Sequence, residues 1–563
     1  MPTVAEYAVD RLARLGIRHV FGLPGDFAFP IDDAVEEHPD LTWVVSTNEL
    51  NAAYSADGYA RIHGCAILST TYGVGELSAL NGVMGSKAEN LPVFHLVGGP
   101  AVRLARTKRH LHHTLGDGEV GNFIPLSAAS TCGWTALTPD NAVAEMERLI
   151  SHAFKEMQPA YIYIPQDIAM MHVLDPEVPI ATTLKPRSCL KELGSAVNSI
   201  LQRIRSAKTL VVLVSYKVGR YNLTDKVQQL IEKLDCPFTA TTMDRQTLPE
   251  THPQFLGLYR GAVSPPGVIE TVEGADLVLN VGGCIFDDLS TGFATTNLSS
   301  DRLVTLGIHF VEIVHSSSKV QMEQHSYDPV WLEDVLDALL EIDSLPSFSS
   351  EHFPSPVLPE APLSNMSLTY PSVLSILARF FQDGDIIVCE TGTISVQMAG
   401  LTIPEGCTYM NQTLWGSIGW ATPAALGVAL AAPKRRVILI TGDGSHQVTA
   451  TELGVMGRYD VNVVCIVLNN GMYGIEAFLE KNKVVSYNDL ALWEYSKIPP
   501  AMGCFTWRCC KVETNGEFEK ELEEARRRLS STYIEVVLGE KLLKPLGSFQ
   551  LNHQYMVKPF TQE

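Results

Sequence analysis

The chain has 563 residues, of which 46% are hydrophobic and 19% are charged. This composition is typical of a globular protein, and the length predicts about three domains, since a single hydrophobic core rarely serves so long a chain. The formal net charge of −21 argues against nucleic acid or an anionic membrane as a partner.

Targeting and redox features point to the cytoplasm. No apolar run approaches the length of a membrane span, and the N-terminus opens with a charged helix instead of an apolar signal segment. The 11 cysteines contain no CxxC pair, which favours reduced thiols. We therefore expect a cytoplasmic protein with no membrane partner.

The first section of the chain alternates predicted helices with short apolar strands. A capping box at Thr3 and Glu6 predicts a helix start. Strands are predicted at 17–21, 42–46, 65–69, 93–97 and 161–164. Strands that alternate with helices favour a parallel sheet with functional loops at its carboxyl edge. We expect this domain to cover residues 1–180.

Two proline-rich stretches, near 175–186 and in 346–362, predict linkers. Strands at 210–214, 238–241 and 277–281 predict a second domain over 195–345. A third domain is expected at 366–545, followed by a tail at 546–563. The predicted fold class is α/β with three doubly wound parallel-sheet domains. The pair Gly282 and Gly283 lacks a following GxGxxG pattern, so we expect no cofactor in the central domain.

The stretch 437–476 combines two apolar strands with a glycine-rich turn and a pair of asparagines. An apolar strand at 437–440 leads into a glycine-rich turn at 442–445, where glycines permit a close approach of backbone to a ligand. A helix is predicted at 449–456 and a second strand at 461–468. A strand, a glycine-rich turn and a helix start favour an anion site, because free N–H groups point at the ligand.

Asp443 and Asn470 each follow one of these two strands. Because parallel strands end at the same edge of a sheet, both side-chain oxygens can reach one hard cation. Mg²⁺ prefers a few protein oxygens together with a phosphate group. The sequence therefore predicts a magnesium and phosphate site at this edge.

A series of short motifs runs along the whole chain. In order they read GLPGDF, NELNAAYSADGYAR, YGVGELSALNG, AENLPV, HHTLGDG, ETGT, LWGSIG, GDGS, NN and YND. Together they resemble the thiamine-diphosphate-dependent 2-oxo acid decarboxylases, the family of pyruvate, indolepyruvate and phenylpyruvate decarboxylase. The resemblance implies pyrimidine-binding, central and diphosphate-binding domains, with thiamine diphosphate and Mg²⁺ as cofactors. It also implies a homotetramer, or at least a homodimer, in which each active site is shared between two chains.

The resemblance implies a role for individual residues around the cofactor. Glu49 matches the carboxylate that makes the aminopyrimidine ring an internal base. Gly416 matches the carbonyl that accepts from the 4′-amino group, and Ile418 the apolar wedge that bends the cofactor. The other implied cofactor contacts, besides the metal ligands, are Thr391, Gly392, Thr393, Gly442, Gly444, Ser445, Tyr473, Gly474 and Ile475.

The implied Mg²⁺ ligands are Asp443, Asn470 and the backbone carbonyl of Met472. The family usually has glycine at the position of Met472, so the φ angle there must suit a side chain. Gly474 is a second departure, since threonine is usual at that position.

The resemblance assigns the catalytic steps to Glu49 and to a polar quartet, which consists of Asp26, His112, His113 and Glu476. A pair of histidines can hold a substrate carboxylate and move protons near neutral pH. Two carboxylates in one dry site raise one another's pKa, so that one of them can serve as an acid.

The residues after ETGT lack the aromatic side chain that is common in the family. Ser395 and Val396 stand there instead, and Ile475 is expected to form another wall. A smaller wall should enlarge the substrate pocket. We therefore expect a 2-oxo acid larger than pyruvate, such as indolepyruvate, phenylpyruvate or a branched-chain 2-oxo acid.

The expected activity is non-oxidative decarboxylation of a 2-oxo acid to an aldehyde and carbon dioxide. The alternatives are pyruvate decarboxylase proper, a carboligase of acetolactate synthase type, and a catalytically silent protein with the same fold. The pair His112 and His113 argues against a carboligase, which generally lacks it. The complete polar set argues against a silent protein.

Overall fold

The computed structural model describes residues 1–174, 186–292, 296–318, 321–348 and 359–540. Most of the two predicted linkers, the ends of the predicted domains at 175–180 and 541–545, and the tail at 546–563 lie outside the described residues. Among the helices that are described, none is both long and apolar enough to cross a membrane.

The first sheet has six strands, all paired in parallel. They are β1 (His19–Gly22), β2 (Thr42–Val45), β3 (Ala66–Thr71), β4 (Val93–Gly99), β5 (Gly133–Ala136) and β6 (Ala160–Pro165). Their order is β2-β1-β3-β4-β6-β5. The strand order reverses beside β1, which in doubly wound folds places helices on both faces of the sheet.

Eight helices belong to this first section: α1 (Val4–Ala13), α2 (Phe29–Glu36), α3 (Glu49–His63), α4 (Val74–Ala88), α5 (Val102–Arg106), α6 (Ile124–Ala129), α7 (Ala142–Glu156) and α8 (Gln166–Ala169). The predicted capping box is present at the start of α1, where Thr3 and Glu6 exchange hydrogen bonds with each other's backbone.

The second sheet has seven strands: β7 (Leu210–Val214), β8 (Phe238–Ala240), β9 (Phe255–Leu258), β10 (Leu277–Val281), β11 (Leu303–Leu306), β12 (Val311–Ser318) and β13 (Gln321–Tyr327). Their order is β13-β12-β11-β10-β7-β8-β9. This sheet is parallel except at one edge, where β12 pairs antiparallel with both β11 and β13. Its helices are α9 (Leu190–Ser206), α10 (Tyr216–Arg220), α11 (Thr224–Leu234), α12 (Pro266–Gly274) and α13 (Leu332–Leu340).

The third sheet has six parallel strands in the order β15-β14-β16-β17-β19-β18. They are β14 (Ile386–Cys389), β15 (Thr408–Met410), β16 (Val437–Gly442), β17 (Val463–Asn469), β18 (Arg508–Val512) and β19 (Thr532–Val537). Its helices are α14 (Tyr370–Phe380), α15 (Thr393–Met398), α16 (Ala421–Ala431), α17 (Asp443–Thr449), α18 (Glu452–Arg458), α19 (Gly474–Leu479), α20 (Ile498–Ala501) and α21 (Asn515–Arg527).

The predicted α/β class with three parallel-dominated sheets is confirmed. The predicted helix at 449–456 corresponds mainly to α18, whereas α17, which begins at Asp443 directly after β16, was not predicted. A carboxylate in the first turn of a helix is favoured by the helix dipole, which accounts for the early start. The three sheets fall inside the predicted ranges 1–180, 195–345 and 366–545, and those limits stay predictions.

The first and third domains of one chain share a hydrophobic core, with α3 packed against α16. Two glycines permit this close crossing. A β carbon at Gly58 would lie 2.2 Å from the Ala424 carbonyl oxygen, and one at Gly427 would lie 1.9 Å from that of Ser55. The crossing fixes α3 relative to the third sheet.

Candidate cofactor and active site

A pocket opens at the carboxyl edge of the third sheet, where β14, β16 and β17 end side by side. It brings together every predicted cofactor residue of the third domain except Gly416, and also Glu476. Its lining residues are Tyr370, Thr391, Gly392, Thr393, Ile394, Ile418, Gly442, Asp443, Gly444, Ser445, Leu468, Asn470, Met472, Tyr473, Gly474, Ile475 and Glu476. Sequence reasoning did not select Tyr370, Ile394 and Leu468.

Asp443 is a buried carboxylate at the floor of this pocket, only 2% exposed. Its Oδ1 accepts from the Gly444 N–H group at 2.9 Å, and its Oδ2 accepts from the Gly471 N–H group at 2.7 Å. Burial raises the pKa of Asp443 to about 6, and these backbone hydrogen bonds oppose the rise. A bound cation would stabilise the charged form that burial disfavours.

Met472 can offer its carbonyl to the same place. It lies opposite Asp489 in an isolated antiparallel bridge. The bridging hydrogen bonds are made by its neighbours, because Tyr473 N–H donates to Asn488 and Leu490 N–H donates to the Gly471 carbonyl. In such a pair the N–H and C=O of the central residue point away from the partner strand.

The Asn470 side chain lies next to the Met472 backbone, since the Met472 N–H group donates to the Asn470 Oδ1 atom at 3.4 Å. The left-handed φ of this turn, 74°, falls on Gly471, so the backbone at Met472 accommodates a side chain. One carboxylate, one amide and one backbone carbonyl form an all-oxygen donor set of the kind that Mg²⁺ accepts. The residues present therefore fit a magnesium ion.

Glycine is required at position 444, because a β carbon there would lie 2.6 Å from the Tyr473 ring. Gly392, at the other side of the pocket, has a φ of 135°, which a larger residue rarely adopts. Both glycines keep backbone close to the pocket, where a diphosphate group needs room and N–H donors. The pocket thus fits a magnesium-bound diphosphate.

Glu390 is a functional candidate that sequence reasoning missed. Its side chain is completely buried, with Oε1 accepting from Thr391 N–H at 3.1 Å and Oε2 from Ala421 N–H at 3.2 Å. Burial raises the pKa of Glu390 to about 8. Glu390 connects the end of β14 to the start of α16 through these two hydrogen bonds. Its position directly after an apolar strand was the sequence signal that could have identified it.

The predicted walls of the substrate pocket were partly misjudged. Ser395 and Val396 do not line the pocket, whereas Ile394 and Ile475 do. The Ser395 hydroxyl instead donates to the Gly392 carbonyl at 2.9 Å and closes the first turn of α15. Val396 is buried in the core of the third domain. The sequence alone could not show that α15 turns the side chains of Ser395 and Val396 away from the pocket.

A second polar group lies in the first domain, beyond the carboxyl edge of its sheet. His112 Nε2 lies 3.0 Å from Asp26 Oδ2, and His113 Nε2 lies 3.9 Å from Asp26 Oδ1. The two imidazole rings pack 4.4 Å apart, and His113 has a left-handed φ of 61°. Burial and the neighbouring His112 lower the pKa of His113, while Asp26 opposes this.

Glu49 is the first residue of α3, next to the Asn48 cap, whose Oδ1 accepts from Asn51 N–H at 2.9 Å. Burial raises the pKa of Glu49. A β carbon at Gly75 would lie 3.2 Å from the Glu49 Oε1 atom, so the start of α4 leaves room for this carboxylate. The Glu49 carboxylate therefore lies where α3 and α4 both begin.

The chain thus keeps its predicted catalytic residues in two places. Glu476 lines the pocket of the third domain, whereas Asp26, Glu49, His112 and His113 are absent from that lining. Gly416 also stands outside it, in the loop between β15 and α16, with a φ of 65°. Ile418 of the same loop reaches the pocket and is 38% exposed.

Family models match most of the chain. The models for the N-terminal thiamine pyrophosphate binding domain, the central domain and the C-terminal thiamine pyrophosphate binding domain of thiamine pyrophosphate enzymes match residues 2–119, 197–324 and 390–536. The matched ranges contain every predicted site residue. The order of the three domains agrees with the order of the three sheets.

The chain is also similar to whole proteins. The alpha-keto-acid decarboxylase of Mycolicibacterium paratuberculosis is 35% identical over 542 residues, covering 95% of this chain and 94% of the relative. The alpha-keto-acid decarboxylase of Mycobacterium leprae is 34% identical over 543 residues, covering 95% and 93%. A solved structure, the thiamine diphosphate-dependent 4-hydroxybenzoylformate decarboxylase of Rhodococcus jostii, shares the fold with a TM-score of 0.78 at 21% identity, covering 96% of this chain and all of that one. The chain therefore belongs to the thiamine-diphosphate-dependent 2-oxo acid decarboxylase family, whose members are carbon–carbon lyases.

Proposed function

We propose that this protein decarboxylates a 2-oxo acid to an aldehyde and carbon dioxide, without oxidation, using thiamine diphosphate and Mg²⁺. The observation that carries the proposal is the pocket at the edge of the third sheet, where Asp443, Asn470 and Met472 offer three oxygens beside the glycines of two turns. When bound, thiamine diphosphate supplies the carbon nucleophile and the electron sink for the departing carbon dioxide.

The chain's own residues divide the remaining work. Asp443, Asn470 and the Met472 carbonyl would hold the cation, and Glu49 would share a hydrogen bond with the aminopyrimidine ring. The raised pKa of Glu49, caused by burial, suits a carboxyl group that shares its proton. The Gly416 carbonyl would accept a hydrogen bond from the 4′-amino group of the cofactor, and the Ile418 side chain would pack against it.

Proton transfer to and from the substrate falls to Asp26, His112, His113 and Glu476. The His112 imidazole lies within hydrogen-bonding distance of Asp26, at 3.0 Å, so these two groups can exchange a proton directly, whereas His113 lies 3.9 Å from the same carboxylate. A histidine whose pKa is lowered, like His113, is largely neutral at pH 7 and can accept a proton there. Glu476 approaches from the pocket of the third domain.

We propose that two chains complete each active site. In one chain the first-domain group with Glu49 does not contribute to the pocket that contains Glu476. A second copy could present its first domain to that pocket, which gives a homodimer at least, and the family resemblance favours a homotetramer. Mixing inactive Glu49→Gln and Asp443→Ala chains tests this, since hybrid dimers regain one intact site. Mixtures that stay inactive after subunit exchange would exclude shared sites.

We propose a cytoplasmic location and a substrate larger than pyruvate. All 11 cysteines are free thiols, which suits a reducing compartment. With Ser395 and Val396 turned away, the size argument depends on the aliphatic walls Ile394 and Ile475, which offer apolar contact without aromatic bulk. Phenylpyruvate, indolepyruvate and branched-chain 2-oxo acids fit such walls better than pyruvate does.

Carbon dioxide release from a panel of 2-oxo acids, with aldehyde measured in the same samples, tests the proposed function. We expect equal amounts of both products, dependent on thiamine diphosphate and Mg²⁺. Release of carbon dioxide with a 2-hydroxy-3-oxo acid as the product would identify a carboligase instead. No turnover of any panel member by cofactor-saturated protein would identify a silent relative.

A further inference from the structure

The loop that carries Gly416 and Ile418 is held by side chains of the first domain of the same chain. The Trp415 Nε1–H group donates to the Asn81 Oδ1 atom at 2.9 Å. The Asn81 Nδ2 group donates to the Ser417 Oγ atom at 3.2 Å and to the Tyr54 hydroxyl at 3.0 Å. The Tyr54 and Ser417 hydroxyls are hydrogen-bonded to each other. We call these four side chains the loop clamp.

The loop clamp grips the two residues on either side of Gly416. Gly416 itself has a left-handed φ of 65°, and its N–H group donates to the Gln412 carbonyl at 3.2 Å. The Ser417 N–H group donates to Gln412 Oε1 at 3.2 Å. With residues 415 and 417 fixed and the intervening backbone hydrogen-bonded, the peptide carbonyl of Gly416 has little freedom to rotate.

Tyr54 is the buried end of the loop clamp, with no exposed surface. Burial raises the pKa of Tyr54 to about 12, so its hydroxyl stays protonated at neutral pH. Tyr54 lies in α3, which the close crossing at Gly58 and Gly427 fixes against α16. The buried Tyr54 hydroxyl therefore anchors a loop in which Trp415 and Ile418 are exposed.

We propose that Tyr54 and Asn81 are positioning residues that act through Trp415 and Ser417 to set the direction of the Gly416 carbonyl and the place of Ile418. The inference rests on the proposed function, in which that carbonyl accepts a hydrogen bond from the cofactor's 4′-amino group. Packing alone would need only apolar contact between α3 and the loop. A closed set of four polar side chains adds directional control, because hydrogen bonds weaken steeply when their angles change.

The test compares Tyr54→Phe, Asn81→Ala and Ser417→Ala with wild-type protein saturated with thiamine diphosphate and Mg²⁺. The matched control is Tyr59→Phe, which removes a hydroxyl from the same helix. The Tyr59 hydroxyl accepts from Arg18 N–H at 3.2 Å within the first domain, away from the loop. Two quantities are measured: the rate of C2–H exchange of the bound cofactor by NMR, and the dissociation constant of the cofactor by calorimetry.

We expect the three clamp variants to slow C2–H exchange about tenfold, since small misplacements of a positioned group cost rate steeply. The double variant Tyr54→Phe/Ser417→Ala should slow exchange by less than the product of the two single effects, because both substitutions remove the shared Tyr54–Ser417 hydrogen bond. Tyr59→Phe should exchange at the wild-type rate, although its urea midpoint should fall as much as that of Tyr54→Phe. If the clamp residues had only a structural role, all variants would lose similar stability, and the C2–H exchange rate of the bound cofactor would stay at the wild-type value in each of them.

Each outcome supports or excludes the proposed role of the loop clamp. If all clamp variants exchange at the wild-type rate, the loop clamp only packs two domains and the inference is wrong, while the proposed function stands. If wild-type protein binds no thiamine diphosphate, the proposed function and the inference both fail. If Tyr54→Phe does not fold, Ser417→Ala, at a partly exposed position, gives the answer.

Discussion

Asp443 Oδ2 accepts a hydrogen bond from the Gly471 N–H group at 2.7 Å, which joins the turn after β16 to the turn after β17. This one contact holds both halves of the candidate cation site together before any ion binds. The carboxylate has two backbone donors but no cationic partner among the salt bridges of the described residues. Burial raises the pKa of this carboxyl group to about 6, although the backbone donors oppose the rise.

The first prediction concerns the pH dependence of Mg²⁺ binding. The pKa of Asp443 is about 6 in the folded apoprotein, above its ordinary value of 3.8. The stability that this group contributes to the apoprotein is therefore present in acid and is lost as pH rises through about 6. Cation binding has the opposite sign, since only the charged form coordinates Mg²⁺. Calorimetry should show apparent affinity weakening about tenfold from pH 7 to pH 5.

A flat affinity over that pH range would contradict the burial argument for Asp443. The Asp443→Ala variant tests whether Asp443 causes the pH dependence of Mg²⁺ affinity. This variant should bind neither Mg²⁺ nor thiamine diphosphate measurably at any pH. Its circular dichroism spectrum should match wild type, because the substitution removes a buried charge and leaves the fold intact.

The second prediction uses two adjacent asparagines as a matched pair. Asn470 faces the pocket, whereas the Asn469 Nδ2 group donates to Glu535 Oε1 at 2.9 Å inside the third domain. Asn470→Ala should weaken Mg²⁺ binding by about tenfold or more, equal to about 1.4 kcal/mol. Asn469→Ala should leave binding unchanged while it lowers stability by about 1 kcal/mol. Equal loss of metal affinity in both variants would remove Asn470 from the ligand set.

The third prediction concerns Glu49. Glu49→Gln keeps the shape and hydrogen-bonding capacity but not the exchangeable carboxyl proton, so C2–H exchange of bound cofactor should slow by about 10²–10⁴. NMR of quenched exchange samples measures this rate. Glu37→Gln, an exposed carboxylate after α2, serves as the control and should behave as wild type. An unaltered rate in Glu49→Gln would refute the role assigned to this residue.

The candidate site was predictable only in part. The residues at the ends of β16 and β17 follow from strand spacing, because neighbouring parallel strands end at one edge. The orientation of Ser395 and Val396 did not follow, since it depends on where α15 begins, at Thr393. The loop clamp joins Tyr54 to Ser417, 363 residues apart in the chain, and no local pattern encodes such a contact.

The fold shows the same division. Apolar runs predicted most of the long buried strands but not β19, whose apolar run is interrupted by Glu535. The strand β5 was missed because it has four residues and two exposed positions. The antiparallel pair of β12 and β13 was also missed, since their polar sequence carries no buried-strand signal. Parallel topology was predictable from the alternation of strands and helices, and even the edge strand β2 was predicted, whereas the interior strands β11 and β19 were not.

The fourth prediction concerns the pKa of His113, which burial and His112 hold below the ordinary value of 6.5. Asp26 acts in the opposite direction, so Asp26→Asn should lower the pKa of His113 further. Removal of the neighbouring imidazole in His112→Gln should raise it. Imidazole resonances followed by NMR through a pH titration give both signs. Shifts of reversed sign would show that the pair is arranged differently in solution.

The fifth prediction concerns substrate size. Phenylpyruvate should exceed pyruvate in kcat/KM by about tenfold, because a pocket wall of this kind discriminates by only about 1–3 kcal/mol. Ile475→Phe, at a lining position, should reduce that ratio. Val396→Phe, in the packed core, should instead cost about 1–3 kcal/mol of stability and leave the ratio unchanged. A competition assay with both acids decides, and a preference for pyruvate would end the large-substrate proposal.

The most direct test of the account follows a 2-oxo acid labelled with ¹³C at C1, incubated with apoprotein before and after addition of thiamine diphosphate and Mg²⁺. We expect the label to leave as carbon dioxide and bicarbonate only when both cofactors are present, with one aldehyde formed per labelled carbon. Asp443→Ala protein should release none. Label that stays in the organic acid with fully loaded wild-type protein would contradict the proposed decarboxylase activity.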